Sequence, residues 1–413
     1  MDYGLIGESL RHSYSPMIHA RFGHYDYQLK SLSSQSLEDF LRKGDFKGLN
    51  VTIPFKRRAA SCCDALSPEA RATGSVNTLL RHSDGSLYGH NTDVSGFIYM
   101  LRHAGLAPEG RKALILGSGG ASASVRLALR QLNARETVVV SRKGPVDYET
   151  LYRLHADAEL LVNTTPVGMY PNNGPCPVDL DRLPRLRGVA DIIYNPEQTS
   201  LILEARARAI PCATGLTMLV AQARAASMLF TGEFIPEDTV AQVCSFIRRQ
   251  TLNLILVGMP GSGKTTLGNM IATATGRTFA DCDEEIVRRS GMSIPEFFST
   301  HGEASFRALE SEIIADLGKE NGLVIATGGG CVTRPENIRA LKQNGRICHV
   351  LRPLELLVRD GRPLSSSEGA VRKLWRERRR LYTNAADFSV ENTGALSDVT
   401  RAIWEGFYEA ADC

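Results

Sequence analysis

The sequence contains the stretch Asn253-Leu-Ile-Leu-Val257-Gly258-Met-Pro-Gly-Ser-Gly-Lys264-Thr265, in which a short apolar run leads into a glycine-rich loop. The loop has the spacing GxxxxGK[ST] of a phosphate-binding P-loop, and its surroundings predict a strand before it and a helix after it. Backbone amides at such a helix start attract phosphate oxygens, while Lys264 and Thr265 would reach the terminal phosphates and the Mg²⁺ of ATP. The predicted nucleotide-binding residues are Gly258, Gly261, Ser262, Gly263, Lys264, Thr265 and Thr266, with Thr265 also a metal ligand.

A second glycine-rich loop, Gly117-Ser-Gly-Gly-Ala-Ser122, lies upstream after the apolar run Ala113–Leu116. It departs from the dinucleotide pattern GxGxxG at its last position, so a plain tight turn is an equally good interpretation of the loop alone. The next predicted strand ends in Ser141-Arg142-Lys143 rather than in the acidic residue that binds the ribose of NAD. Arg142 could hold a 2′-phosphate with two hydrogen bonds, which favours NADP(H). The alternative is a basic strand end that faces solvent.

Composition sets the broad class. The chain has 413 residues, 43% hydrophobic and 23% charged, which is typical of a globular protein of two to three domains. A net charge of +3 gives no reason to expect nucleic acid or a membrane as partner. No apolar run approaches the ~18 residues of a spanning helix, and the N-terminal residues resemble a first strand rather than a signal peptide. The nine scattered cysteines suggest reduced thiols in the cytoplasm.

Short apolar strands alternate with helical patterns along the whole chain, which predicts α/β architecture with parallel sheets. Residues 236–250 are predicted to be helical, and the strand of the P-loop follows them at once. Because no glycine-, serine- or proline-rich linker separates the two patterns, we expect a short and nearly rigid junction there.

A candidate acid–base pair lies near the N-terminus. In Asn50-Val-Thr-Ile-Pro-Phe-Lys56, an extended run would direct Thr52 and Lys56 to one side and the apolar residues to the core. Asp93 follows in a later polar stretch. A lysine ammonium polarised by an aspartate could donate a proton to a carbonyl oxygen as a hydride arrives. From the residues alone, a surface lysine and a helix-capping aspartate would be the commoner interpretation.

Several stretches of the first 250 residues closely resemble shikimate dehydrogenases. They are Gly7-Glu-Ser-Leu-Arg-His-Ser13-Tyr-Ser15-Pro16, Asn50-Val-Thr-Ile-Pro-Phe-Lys56, Asn91-Thr-Asp93, Asn163-Thr-Thr-Pro-Val-Gly-Met169, Asp191-Ile-Ile-Tyr194-Asn-Pro196 and Gly215-Leu-Thr-Met218-Leu-Val-Ala-Gln222. The resemblance implies a substrate domain at residues 1–103, completed by helices in 214–250, and a Rossmann NADP domain at 104–213.

The same resemblance implies roles for individual residues. The substrate carboxylate would be bound by Ser13, Ser15 and Tyr194, and the ring hydroxyls by Thr52, Asn77, Asp93 and Gln222. Lys56 and Asp93 would be the acid–base pair. The NADP(H) contacts would be Gly117, Ser118, Gly119, Gly120, Ala121, Ser141, Arg142 and Lys143, with Met218 beside the nicotinamide.

Four further features follow the P-loop. Asp281 and Asp283 are predicted at a strand end, where two carboxylates could serve Mg²⁺ and an acceptor hydroxyl, or simply form a polar strand end. Arg307 and Glu310 are three apart on a predicted helix and therefore neighbours, although an exposed ion pair would be the usual interpretation. Gly328-Gly-Gly330 ends an apolar strand and would let a ligand approach the backbone, or form a flexible turn. The basic run Trp375-Arg-Glu-Arg378-Arg-Arg-Leu-Tyr382 is otherwise typical of a solvated helix face.

Together these features resemble shikimate kinase over residues 251–413, with a P-loop core like that of nucleoside monophosphate kinases. By this resemblance Asp283 would bind the acceptor hydroxyl and act as base, and Asp281 would support Mg²⁺. Shikimate would be bound by Arg307, Gly329, Gly330 and Arg378, with Glu310 orienting Arg307. Arg362 would be the lid arginine that meets the transferred phosphate. The segment around Arg359 and Arg362 is several residues shorter than the lid of that family, so closure over ATP would be less complete.

The two resemblances name consecutive reactions, because the product of the first is the acceptor of the second. We therefore expect a bifunctional cytoplasmic enzyme that reduces 3-dehydroshikimate with NADPH and then phosphorylates shikimate with ATP and Mg²⁺. Its partners would be small molecules, and no coiled coil or repeat indicates an oligomeric state. The alternatives are a metabolite-sensing binding module built from these domains, and a quinate/shikimate dehydrogenase with an inactive kinase half.

Overall fold

The computed structural model describes residues 1–10, 13–357 and 368–412, and its contacts divide the chain into the units Met1–Ile247 and Arg248–Cys413. Both units are α/β folds, as the alternation of apolar strands and helical patterns predicts. Among the described residues, no helix is long and apolar enough to cross a membrane. The division of the first unit at residue 103 stays a prediction.

The first unit begins with a six-stranded sheet in the order β2-β1-β3-β5-β6-β4. Its strands are β1 (Tyr3–Gly7), β2 (Tyr27–Ser31), β3 (Gly48–Val51), β4 (Ala65–Leu66), β5 (Thr78–Arg81) and β6 (Leu87–His90). The expectation of parallel sheets is wrong here, because β5 is antiparallel to both β3 and β6. The β5–β6 connection is a tight hairpin in which Gly85 has φ of 87°, a conformation that favours glycine.

The register of this sheet aligns the segments that carry the candidate site. Ile6 pairs with Val51, Asn50 pairs with Thr78, and Thr78 pairs with His90. The chain therefore leaves β1, β3 and β6 at the same edge at which it enters β5. Because β5 runs in the opposite direction, this edge collects residues from four different stretches of sequence.

The second sheet of the first unit is fully parallel, in the order β11-β10-β9-β7-β8. Its strands are β7 (Lys112–Leu116), β8 (Glu136–Val140), β9 (Leu160–Asn163), β10 (Gly188–Asp191) and β11 (Cys212–Ala213). Leu116 pairs with both Val140 and Asn163, so the loops after β7, β8 and β9 open at one edge. This is the edge at which open α/β sheets bind ligands.

Ten helices connect these strands in the described part of the first unit, the last of them continuing into the second. They are α1 (Ser15–His19), α2 (Leu37–Lys43), α3 (Lys56–Ser61), α4 (Pro68–Thr73), α5 (Asp93–His103), α6 (Gly120–Gln131), α7 (Tyr148–Leu154), α8 (Ser200–Ala207), α9 (Gly215–Thr231) and α10 (Thr239–Thr251). The predicted apolar stripe of α6 is buried at Val125, Ala128 and Leu129, which pack against the interior of the parallel sheet.

The second unit is a five-stranded parallel sheet in the order β13-β14-β12-β15-β16. Its strands are β12 (Asn253–Val257), β13 (Phe279–Asp281), β14 (Val324–Ala326), β15 (Gly345–Leu351) and β16 (Phe388–Glu391). Its helices are α11 (Lys264–Thr275), α12 (Cys282–Ser290), α13 (Ile294–Leu317), α14 (Pro335–Gln343), α15 (Glu368–Ala385) and α16 (Leu396–Asp412). Every residue of β12 is buried, and this central strand delivers the P-loop to the carboxyl edge of the sheet.

Candidate functional sites

Lys56 and Asp93 form a shielded ion pair in the first unit. The distance from Lys56 Nζ to Asp93 Oδ2 is 2.6 Å, and the side chains are only 19% and 9% exposed. Lys56 is the first residue of α3 and Asp93 the first residue of α5. A lysine side chain oriented by a carboxylate at the edge of a sheet is suited to give a proton to a bound carbonyl oxygen.

The chain reaches Lys56 through a turn rather than through the extended run that the sequence pattern predicts. The strand β3 ends at Val51, and the amide of Phe55 donates to the carbonyl oxygen of Thr52. Phe55 is fully buried, but Ile53 is 76% exposed, so the prediction that Ile53 points to the core is wrong. Proline at position 54 fixes its own φ and disfavours strand continuation, which accounts for the early end of β3.

The Asn77 side chain joins residues from three parts of the first unit that are predicted to bind substrate. Its Nδ2 atom donates to Asp93 Oδ1 at 2.8 Å and lies 3.1 Å from Gln222 Oε1. Its Oδ1 atom accepts from the amide of Thr92 at 2.7 Å. A buried amide with these partners is held in one orientation. Asn77, Asp93 and Gln222, predicted to bind ring hydroxyls, are therefore brought together.

Gly96 allows α9 to bring Gln222 to this cluster. A Cβ atom at Gly96 would lie 2.8 Å from Gln222 Cβ and 2.9 Å from the carbonyl oxygen of Met218. Any side chain at this position would push α9 away from α5. Sequence reasoning missed Gly96, although a glycine inside a predicted helix is itself a signal of close packing.

The residues expected at the substrate carboxylate lie around Tyr14. The Tyr14 and Tyr194 ring centroids are 5.3 Å apart, and the amide of Ser15 lies 3.2 Å from Ser13 Oγ. Burial raises the pKa of Tyr194, so its hydroxyl remains a neutral donor. Thr52 packs beside the end of β1, since a Cβ atom at Gly7 would lie 2.6 Å from the methyl group of Thr52.

The glycine loop after β7 is open to a ligand. Gly117 has φ of 102°, and a Cβ there would lie 2.9 Å from Thr164 Oγ1. Nothing would meet a Cβ at Gly119 or Gly120, where α6 begins. Ser118 is exposed, and Ala121 lies in the first turn of α6. The loop thus presents backbone amides at a helix start, as binding of a pyrophosphate requires.

Ser141, Arg142 and Lys143 follow β8 directly, one strand away from the glycine loop. Arg142 and Lys143 are exposed at this edge. The position is that of the residue that contacts the adenosine ribose in dinucleotide-binding sheets. Met218, in contrast, is 7% exposed and belongs to the core between α5, α9 and the parallel sheet.

Asp191 holds two loops of this edge together, a role that sequence reasoning missed. Its Oδ1 accepts from Asn163 Nδ2 at 3.1 Å and from the amide of Ile193 at 3.0 Å. Its Oδ2 accepts from Thr199 Oγ1 at 2.7 Å. Burial raises the pKa of Asp191 to about 6, although its hydrogen bonds oppose the shift. The carboxylate thus positions the segment that leads to Tyr194.

We predict that Asp191→Asn removes a pH dependence of stability. The folded pKa of about 6 lies above the unfolded value of 3.8, so the protonated form stabilises the fold at low pH. This stabilisation, about 3 kcal/mol for a shift of this size, should disappear as the pH rises from 4 to 7. Calorimetric unfolding of wild type and variant should show the variant gaining relative stability over that range. The control is Asp181→Asn, because the Asp181 carboxylate pairs with Arg208 at the surface; this variant should show no gain in relative stability as the pH rises. The same dependence of stability on pH in wild type and Asp191→Asn would contradict the prediction.

The P-loop of the second unit has the predicted strand–loop–helix geometry. Gly258, Gly261 and Gly263 have φ of 151°, 84° and 96°, which side chains rarely adopt. Lys264 is 8% exposed, and its Nζ donates to the carbonyl oxygens of Gly258 and Met259 at 3.0 and 3.1 Å. Thr265 and Thr266 are exposed at the first turn of α11. The lysine is thus held across the loop that would cradle phosphates.

Thr265 and Asp281 form the candidate metal site. Thr265 Oγ1 donates to Asp281 Oδ2 at 2.7 Å, so two side-chain oxygens lie together beside the P-loop. The described residues contain no group of three or more His, Cys, Asp or Glu side chains that could hold a metal. In P-loop enzymes Mg²⁺ is bound by one or two protein oxygens together with the phosphates of the nucleotide, so these two residues fit such a site.

Asp283 does not share a strand with Asp281 as the sequence pattern predicts. Asp281 ends β13 and caps α12, because its Oδ1 accepts from the amide of Asp283 at 2.9 Å. Asp283 therefore lies in the first turn of a helix. The capping bond is local side chain–backbone chemistry that competes with strand continuation.

The side chain of Asp283 meets the glycine turn after β14. A Cβ at Gly328 would lie 2.9 Å from Asp283 Oδ1 and 2.7 Å from Glu310 Oε1. A Cβ at Gly330 would lie 2.3 Å from Arg307 Nη1. The glycines thus let two carboxylates and a guanidinium converge on one turn, and they are required because any side chain would displace these groups.

Arg307 and Glu310 form a buried pair rather than the exposed one that is usual at this spacing. Arg307 Nη1 donates to Glu310 Oε2 at 2.8 Å, and the side chains are 11% and 0% exposed. Glu310 Oε1 is buried and accepts no hydrogen bond within the described part of the chain. Arg378, 8% exposed, donates through Nη1 to the carbonyl oxygen of Gly329 at 3.0 Å. Two cations and Asp283 therefore adjoin one glycine turn, an arrangement that suits an anion carrying hydroxyl groups.

A cavity of about 330 Å³ opens beside the start of α11. Its lining residues are Gly263, Thr266, Arg352, Leu356, Asn392, Thr393, Gly394 and Leu396. Leu356 and Leu396 are 50% and 40% exposed, and Arg352 Nε is buried with no partner among the described residues. Apolar walls beside a planar guanidinium suit a flat aromatic base. Sequence reasoning missed this cavity, although Arg352 and Asn392 each follow a strand at the edge that carries the P-loop.

Arg362, predicted to meet the transferred phosphate, and Arg359 lie outside the described residues. Every other predicted site residue is within them.

Two family models match separate parts of the chain. Residues 260–406 match the family model described as shikimate kinase. Residues 5–79 match the model described as the shikimate dehydrogenase substrate binding domain.

Individual relatives match the first unit. A shikimate dehydrogenase (NADP(+)) from Caldanaerobacter subterraneus subsp. tengcongensis is 35% identical over 264 residues, which cover 58% of this chain and 94% of the relative. The structure of shikimate 5-dehydrogenase from Thermus thermophilus in complex with NADP(H) and shikimate has a TM-score of 0.54 and 30% identity, covering 59% of this chain and 98% of that chain. A quinate dehydrogenase from Corynebacterium glutamicum in complex with NAD has a TM-score of 0.54 and 27% identity, with the same coverage.

Proposed function

We propose that this chain makes shikimate 3-phosphate in two steps. The premise is that it belongs to the shikimate dehydrogenase family and carries a shikimate kinase domain after the dehydrogenase part. The chain is a bifunctional shikimate-pathway enzyme that uses NADP and ATP. The first step would be the reduction of 3-dehydroshikimate to shikimate with NADPH, and the second the phosphorylation of shikimate with ATP.

The observation that carries the first step is the Lys56–Asp93 ion pair of 2.6 Å. The Lys56 ammonium, oriented by Asp93, would donate a proton to the carbonyl oxygen as NADPH delivers hydride to the carbon. Asn77 and Gln222 would bind neighbouring ring hydroxyls. The neutral hydroxyls of Ser13, Ser15 and Tyr194 would bind the carboxylate without adding a cation that competes for Asp93.

In the second unit, Lys264 and the P-loop amides would hold the phosphates of ATP, and its adenine would enter the cavity beside Arg352. Mg²⁺ belongs to this proposal, with Thr265 as ligand and Asp281 supporting it. Asp283 would bind the hydroxyl that attacks the γ-phosphate. Arg307 and Arg378 would hold the shikimate carboxylate, because a guanidinium can donate two parallel hydrogen bonds to a carboxylate. A cytoplasmic location is proposed with these roles, because scattered free cysteines suit a reducing compartment.

The proposed function is tested by incubating the protein with 3-dehydroshikimate, NADPH, ATP and Mg²⁺ and taking a mass spectrum of the products. We expect a product that is both reduced and phosphorylated, and reduced product alone when ATP is omitted. A reduced but never phosphorylated product would contradict the kinase assignment. Turnover of quinate and NAD in preference to shikimate and NADP would favour the quinate dehydrogenase alternative, and ligand binding without turnover would favour the sensor.

We predict that Arg142→Ala weakens the use of NADPH selectively. If Arg142 holds the 2′-phosphate with charge-assisted hydrogen bonds, its loss should raise KM for NADPH about 10- to 100-fold. KM for NADH should stay within about twofold, because NADH has no phosphate there. Steady-state kinetics with both cofactors give the ratio. Arg153→Ala, an exposed arginine on α7, is the matched control, and an equal effect on both cofactors would remove Arg142 from the site.

A further inference from the structure

The carbonyl group of Gly329 is held by two donors from α15. Arg378 Nη1 donates to it at 3.0 Å, and the hydroxyl of Tyr382 donates to the same oxygen. The two side chains are four residues apart on one helix and therefore project from the same face. Two donors on one oxygen restrict rotation of the peptide that joins Gly329 to Gly330.

This restriction sets the direction of the next amide. The peptide between Gly329 and Gly330 is not among the cis bonds of the chain, so its N–H points away from its C=O. Because the carbonyl faces α15, the amide of Gly330 faces the opposite side, and no described residue accepts a hydrogen bond from it. Gly330 lies against Arg307, and a Cβ at Gly329 would be 2.7 Å from Pro260 of the P-loop.

The Tyr382 ring is positioned in turn by His349. Their centroids are 5.1 Å apart with an angle of 25° between the planes. Tyr382 is 0% and His349 2% exposed. Burial raises the pKa of the Tyr382 hydroxyl, which therefore keeps its proton and can donate a hydrogen bond. Burial and the nearby charge of Lys264 lower the pKa of His349 to about 4, so the ring is neutral and adds no second cation beside Lys264.

We propose that Tyr382 is a positioning residue of the kinase reaction: its hydroxyl, with the ring held by His349, orients the Gly329–Gly330 peptide so that the Gly330 amide is presented to the acceptor. The ligand is a hydroxylated carboxylate, since Arg307 and Asp283 adjoin the same turn. This inference rests on the proposed function and deepens it. His349 acts through Tyr382 and touches no reactant.

The test compares Tyr382→Phe, His349→Ala and His349→Phe with wild type. Tyr382→Phe keeps the ring stack and loses the hydroxyl, so KM for shikimate should rise roughly 3- to 10-fold, as for one lost hydrogen bond. KM for ATP and kcat should stay within about twofold, because Arg378 still holds the carbonyl. His349→Ala should raise KM for shikimate in the same way, and His349→Phe should restore it. Tyr408→Phe makes the same chemical change on α16 and should have no effect.

Shikimate binding measured by calorimetry should move by the same factor as KM. An unchanged KM and dissociation constant in Tyr382→Phe would overturn the proposal. So would parallel losses of kcat, shikimate affinity, ATP affinity and thermal stability, because these would mean a structural role alone. If wild type binds shikimate but does not phosphorylate it, the proposed function fails while the dissociation constants still test Tyr382.

Discussion

Replacing Lys56 with alanine is expected to lower the turnover of 3-dehydroshikimate by at least about 10²- to 10⁴-fold, the usual contribution of a general acid. The Lys56 ammonium lies 2.6 Å from Asp93 and is only partly exposed, so bulk water does not replace it easily as a proton donor. KM should change less, because Asn77 and Gln222, which are proposed to bind the ring hydroxyls, remain in place. The rate of NADPH oxidation measures the effect.

Three controls separate catalysis from folding in this variant. Lys47→Ala removes an exposed lysine paired with Asp2 in the same unit and should leave the rate unchanged. Lys56→Arg keeps a cation beside Asp93 but holds its proton at all usable pH values, so it should fold well and remain slow. Phosphorylation of added shikimate by the same preparation reports on the second unit. Near-wild-type NADPH oxidation in Lys56→Ala would remove Lys56 from the role of acid.

Much of the architecture could be predicted because its signals are local. The P-loop spacing specifies strand, loop and helix within thirteen residues, and β12 and α11 lie where it predicts. The spacing of Arg307 and Glu310 on a helix makes them neighbours whatever the rest of the chain does. Motif resemblance supplied what spacing could not, since nothing local predicts that Lys56 and Asp93 meet.

What could not be predicted depends on contacts between distant segments. Asn77 and Gln222 are 145 residues apart, and their hydrogen bond exists because α9 packs against α5 at Gly96. The antiparallel hairpin of the first sheet has only short strands, whose direction no periodicity reveals. Burial of Asp191 and the open cavity beside Arg352 are likewise properties of tertiary packing. Patterns of hydrophobicity report which face of an element is buried, but not what lies opposite it.

Asp283→Asn is expected to lower the rate of shikimate phosphorylation by about 10²- to 10⁴-fold if the carboxylate acts as base. NADPH oxidation should continue. Asn has nearly the same shape as Asp, so the hydrogen bond from the backbone amide of residue 283 to Asp281 Oδ1 is kept. What is lost is the negative charge that accepts a hydroxyl proton beside the glycine turn. A coupled assay of ADP release with and without shikimate measures the loss and any hydrolysis of ATP by water.

The stability of this variant discriminates between a catalytic and a structural Asp283. Asn keeps the shape of Asp283 and its place in the first turn of α12, so a purely catalytic role predicts an unfolding temperature close to that of wild type. Glu284→Gln, the next and exposed acidic residue of α12, should retain both activities. A phosphorylation rate within about fivefold of wild type would mean that Asp283 only binds the substrate, because loss of a general base lowers the rate far more than this. Loss of NADPH oxidation together with phosphorylation would contradict the separate sites that the two units are proposed to hold.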